Sequence, residues 1–195
     1  GVGDAMTARI RCRRQVLPER KYRSEIGGKG SLIDGGRYYL CAGWHAARLF
    51  TLDTANDFAP APFCEPDPRL DGGDDLVLNA DKTKAYVACH RGASERGHVA
   101  VVDVARREIL TLIPTGTGTC GLTMTPDERC AVASNDGDES VSVIDTASDT
   151  VVNTPSAREA LAALGTRGYI QGISGAPDGS VFVYGCSGSG ALVRF

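Results

Sequence analysis

Apolar and polar positions in this chain alternate over short runs and never settle into a helical spacing. In 125–152, "TPDERCAVASNDGDESVSVIDTASDTVV", a tight turn at "TPDE" leads into the apolar run "CAVAS". The polar "NDGDE" separates that run from "VSVID", and "TASDT" opens a last apolar "VV". Short β-branched and small apolar runs bounded by Asp, Gly, Asn and Ser predict strands joined by turns. A two-stranded hairpin cannot bury its own apolar face, so this segment is expected to lean on others of its kind.

Four such segments are present, beginning at Ser31, Leu76, Leu122 and Ile173. Each makes a tight turn at an aspartate, namely Asp34, Asp81, Asp127 and Asp178, at intervals of 47, 46 and 51 residues. After the turn come "RYYLCA", "AYVAC", "CAVAS" and "VFVYG", then a loop of small and polar residues. A third strand follows ("LFTLD", "VAVVD", "VSVID"), ending at Asp53, Asp103 or Asp145. A period near 46 residues with four strands per unit is the pattern of β-propeller blades. The predicted fold is therefore all-β: one propeller domain over 1–195 with about four blades of four antiparallel strands. The blades span about 27–70, 71–118, 119–165 and 166–195. The nearest helix candidate, "SAREALAALG" from Ser156 to Gly165, falls between blades three and four as a loop embellishment.

The segment "TPDERCAVASNDGDESVSVIDTASDTVVNT" resembles the YVTN-type β-propeller repeat, and blade two resembles it at "AYVACH" and "VAVVD". Blades one and four match mainly at the turn and second strand, so the resemblance runs over roughly Gly27 to Phe195. It implies the fold and little about function, because one scaffold hosts unrelated tasks. The final "ALVRF" supplies only a third strand to blade four, while 1–26 contains β-compatible residues. An N-terminal strand is thus expected to complete the last blade and remove its exposed edge. Three arrangements stay open: a self-closed four-bladed ring, a homodimer that makes eight blades, and a portion of a larger propeller.

The bulk composition narrows the partners. The chain has 195 residues, 42% hydrophobic and 23% charged, with a formal net charge of −3, an ordinary globular balance. Nucleic acid is not an expected partner, because no clustered basic face accompanies the mild acidity; the basic run Arg9 to Arg23 reads as a solvated strand. Membrane is not an expected partner either, since no apolar stretch nears 18–20 residues. Seven cysteines, an odd number with no C-x-x-C pair, sit mostly in apolar runs. They read as packed free thiols, which leans toward a reducing, cytoplasmic setting, with secretion open if a leader has been removed.

In a propeller the loops from strand two to three and from strand four to the next blade share one end, where function gathers on a rigid scaffold. Those loops carry Trp44 and His45 ("GWHAA"), His90 and Arg91 ("HRGASERG"), Asn135 and Asp136 ("NDGDE"), Cys186 ("CSGSG"), and Arg167, Tyr169 and Gln171 ("GTRGYIQG"). His45 and His90 occupy matched positions and are the candidates for acid/base chemistry near neutral pH. Their alternative role is to cap the loops. No metal is expected, because there is no H-x-H spacing and no evident third ligand. The carboxylates in "NDGDE" and "DGGDD" lack the spacing of a calcium loop and suit turns. "TGTGTCG" lacks the G-K-[ST] and following helix of a phosphate cradle. No cofactor is implied. Trp44 is the candidate ligand platform, and the remaining polar residues suit a small polar or aromatic molecule or a partner-protein loop. Two function classes follow: a binding propeller without chemistry, and a lyase, cyclase or hydrolase using the histidines.

Overall fold

The computed structural model describes residues 29–44, 47–90, 95–163, 170–185 and 191–195. Blade one consists of β1 (Gly30–Ile33), β2 (Tyr38–Ala42), β3 (Leu49–Asp53) and β4 (Ala59–Pro62). Blade two contains β5 (Gly73–Leu78), β6 (Lys84–Cys89), β7 (Arg96–Asp103) and β8 (Glu108–Thr117). Blade three contains β9 (Thr119–Met124), β10 (Cys130–Asn135), β11 (Ser140–Asp145) and β12 (Thr150–Asn153). Blade four has β13 (Ile170–Gly175), β14 (Val181–Gly185) and β15 (Ala191–Arg194). Every sheet is an antiparallel meander in sequence order. The all-β, four-bladed expectation therefore holds. The N-terminal strand expected to complete blade four lies outside the described residues.

The period of two explains why these sheets stack. In β6 the side chains of Ala85, Val87 and Cys89 meet blade one, while Tyr86 and Ala88 meet blade three. In β7 Ala100 and Val102 face blade one, and Val99 and Val101 face blade three. Both faces are buried, which is why these strands read as nearly continuous apolar runs. The third seam joins Val132 and Val141 of blade three to Ile173, Val181, Val183 and Val193 of blade four. Burying a side chain of this kind stabilises by about 1.5–3 kcal/mol, far more than the ion pairs at the sheet margins. The blades are held by apolar stacking.

β5 packs on β9, β9 on β13 and β1 on β5, so the first strands line up along the inner side of the arc. Among the described residues no element of blade one packs against blade four to a comparable extent, and the arc is open. The expected helix appears as α1 (Arg158–Ala163) after β12; its Leu161, with the preceding Ala157, plugs the seam between blades three and four.

Aspartate side chains make the turns of blades two to four, as the repeat pattern predicts; in blade one Asp34 opens the turn through its carbonyl, which accepts the Arg37 N–H at 3.1 Å. Asp81, Asp127 and Asp178 accept the backbone N–H two residues on, at 3.0, 3.2 and 3.0 Å. Each also accepts a neighbouring hydroxyl, from Thr83, Thr125 and Ser180 respectively. These bonds hold all three carboxyls below the usual carboxylate range. β3, β7 and β11 each end at the expected Asp53, Asp103 and Asp145, whose Oδ1 atoms accept N–H groups of the next turn.

Candidate functional site

Antiparallel meanders send the β2–β3, β6–β7 and β10–β11 loops to one end of the arc, together with the blade-to-blade crossovers. Three blades each deliver one residue to a common spot there. The Trp44 ring stacks on His90, with centroids 5.5 Å apart and planes inclined by 27°. His90 Nε2 lies 3.9 Å from Asp136 Oδ2. The His90 side chain is 15% exposed and that of Asp136 5%, while Trp44 is half-buried.

Backbone bonds fix this arrangement. Gly72, in the crossover from blade one to two, donates its N–H to the Trp44 carbonyl at 3.2 Å. Its own carbonyl accepts the His90 N–H at 2.8 Å. Gly72 has φ +69°, and a Cβ there would stand 1.8 Å from the His90 carbonyl oxygen, so only glycine fits. Asp136 is held by its N–H to the Gly118 carbonyl at 2.9 Å, and the next residue bonds Thr117 O at 3.0 Å. Asp138 Oδ2 accepts the Thr117 N–H at 2.6 Å.

Beneath that loop lies a polar network. Asn135 is fully buried. Its Nδ2 donates to Ser140 Oγ and Ser142 Oγ at 3.0 and 2.9 Å, and its Oδ1 accepts from Thr119 Oγ1 at 3.0 Å. Thr119 in turn shares a 2.5 Å bond with Thr115. Asn135 thus spends its capacity inside the protein, where an unsatisfied amide would be costly, and it orients the Asp136 loop from below.

Further in, Asp75 is buried; its Oδ2 accepts the Leu122 N–H at 2.9 Å and lies 3.3 Å from Lys29 Nζ. Burial, then repulsion from Asp75, pushes the neighbouring Asp74 carboxyl up to about 6. Cys120 is buried beneath, its Sγ 3.1 Å from Ile170 O and 3.4 Å from Ser134 Oγ. Burial, with Asp74 and Asp136 adding negative potential, raises this thiol to about 11. It is a protonated, packed thiol at neutral pH, which removes it as a nucleophile.

Of the residues singled out from the sequence, the structure brings Trp44, His90 and Asp136 together, with Asn135 as their support. Gln171 is on β13; His45, Arg91, Arg167, Tyr169 and Cys186 lie outside the described residues. His98 is turned to another purpose, its Nε2 2.7 Å from Arg69 O. Asp74, Asp75 and Lys29 were not singled out as a group, because "DGGDD" reads as turn chemistry. Two carboxylates directly before the apolar "LVL" were the available signal that they enter a strand. Among the described residues no three His, Cys, Asp or Glu side chains group closely enough to hold a metal. No helix there is long and apolar enough to cross a membrane.

Comparison with known proteins supports the architecture. No family model and no curated protein matches this chain. Among solved structures it is similar to Kuenenia stuttgartiensis hydrazine synthase, with a TM-score of 0.62 and 21% identity over 82% of this chain and 44% of that one. It is also similar to the WD40 β-propeller domain of Doa1, with a TM-score of 0.63 and 12% identity over 87% of this chain and 50% of that one. The chain therefore spans about half the length of these structures. At such identities the likeness concerns the fold alone.

Proposed function

We propose that this propeller is a binding module whose loop-bearing end takes up a small molecule with a flat, polar ring. The carrying observation is the Trp44–His90–Asp136 constellation, in which three blades hold a half-buried aromatic face beside a donor–acceptor edge. A stacking platform with one or two converging polar groups is how small ligands are oriented. The Gly72 bonds and the Asn135 network pre-organise this site, which lowers the ordering cost of binding. A second reading, acid/base chemistry at His90, draws on the carboxylate 3.9 Å from its Nε2. That separation is an ion-pair distance rather than a hydrogen bond, so binding without chemistry is the better supported reading.

Trp44 is the only tryptophan in the chain, so its fluorescence reports this site alone. A panel of heteroaromatic compounds screened by Trp44 quenching is expected to yield saturable binders. His90→Ala and Asp136→Asn should weaken them by about tenfold, or about 1.4 kcal/mol each. Binders indifferent to both substitutions would sink the reading. Consumption of a bound compound by the wild type, lost in His90→Ala, would replace it with the enzymatic one.

A further inference from the structure

The margin of the seam between blades one and two, at the end opposite Trp44, differs in charge from the corresponding margin between blades two and three. In the latter, Lys84 of blade two meets Asp149 in the β11–β12 turn of blade three, Nζ to Oδ2 at 2.7 Å. The Tyr86 hydroxyl donates to Asp149 Oδ1 at 2.7 Å, so that seam is closed by its own carboxylate. Strand register identifies the equivalent residues one seam earlier. Tyr38 opposes Asp53 as Lys84 opposes Asp103, so Tyr38 stands in the place of Lys84. Arg107 directly precedes Glu108 as Asp149 precedes Thr150, so Arg107 stands in the place of Asp149. At the next turn Lys82 follows Asp81 as Glu128 follows Asp127. Both carboxylate positions of one seam are therefore cations in the other.

The first seam is also open. A cleft of about 570 Å³ lies there, lined by Tyr38, Pro62, Phe63, Val104, Lys82 and Arg107 among others. The Arg107 guanidinium sits 5.1 Å from the centroid of the Phe63 ring, and Lys82 Nζ donates to Leu32 O at 3.0 Å. Asp34 also lines the cleft. Yet among the described residues no carboxylate lies within ion-pair distance of Lys82 or Arg107. The volume falls in the range of small-molecule sites, and an Arg fork over an aromatic wall suits a carboxylate carried on an apolar ring.

We propose that this cleft is a second binding site, for a small aromatic carboxylate whose charge pairs with Lys82 and Arg107, the cations that stand where the next blade carries Glu128 and Asp149. It is independent of the reading of the Trp44 end. The test titrates 2-naphthoate, and separately the neutral 2-naphthamide, into the ¹⁵N-labelled chain. Naphthoate is expected to shift the amides of Thr83, Val104, Ala105 and Arg107 saturably and to leave Trp44 and His90 unmoved. Naphthamide should bind about tenfold more weakly, and the double variant Lys82→Gln/Arg107→Gln should lose about tenfold in naphthoate affinity. Equal affinity for acid and amide, shifts confined to the Trp44 end, or no saturable shift at millimolar naphthoate would each overturn the proposal. The acid–amide comparison uses only the wild type, so it stands even if the double variant folds poorly.

Discussion

Aspartate does opposite jobs in this chain, depending on whether its oxygens find N–H groups. At the turns, Asp81, Asp127, Asp145 and Asp178 accept backbone and hydroxyl protons and are held below the ordinary carboxylate range. Among the described residues Asp74 accepts no such bond; burial and Asp75 lift it to about 6. The native state therefore holds this proton more tightly than the unfolded chain, whose carboxyl titrates near 4. Below about pH 4 the group is neutral in both states and costs nothing. As pH rises from about 4 to 6 stability falls, and above that the full cost of a buried charge remains. Asp74→Asn should accordingly raise unfolding stability at pH 7 by about 1–2 kcal/mol, allowing for its partial exposure, and change little near pH 4. Urea midpoints at the two pH values would show it, and a variant less stable at pH 7 would contradict the assignment. The turn aspartates were legible from their spacing. Asp74 was not, since its shift comes first from burial, which only the tertiary packing sets.

At the scale of elements, strands and turns follow from local chemistry, whereas the crossovers acquire their role from what they touch. Gly72 is the clearest case: "DGGDD" predicts a turn, but its φ of +69° and its two bonds to Trp44 and His90 come from blades one and two meeting there. Gly72→Ala should destabilise by about 2–4 kcal/mol, combining left-handed strain with a backbone clash. It should also move Trp44 emission toward that of an exposed indole. Thermal unfolding and fluorescence test this together; unchanged emission would show that Gly72 does not hold the stack. The same limit applies to "NDGDE". Asn135 turns inward to Ser140 and Ser142 of its own hairpin and to Thr119, whereas Asp136 turns toward His90 of another blade. The crossover at 115–119 contributes to both, through Thr119 to Asn135 and the Gly118 carbonyl to the Asp136 N–H.

For the whole molecule, blades that contact only their neighbours make stability nearly a sum of seams. β6 and β10 are clamped between strands within their own sheets and between apolar seams formed by neighbouring blades. Among the described residues β4 and β12 are short outer strands of four-stranded sheets, with mostly exposed side chains. Hydrogen exchange should therefore find the slowest described amides in β6 and β10 and the fastest in β4 and β12. Uniform protection across the four blades would refute this gradient and point to a single global opening.

Short apolar runs and the recurring aspartates were enough to determine strands, turns and the blade repeat. Those properties depend on neighbours within a few residues. Which side chains meet was decided by the stacking of one blade on the next. Trp44 lies on His90, and His90 near Asp136, because three separate meanders deliver their loops to one end. Arg107 faces an open cleft while Asp149 closes one, because each seam combines residues that no local pattern relates.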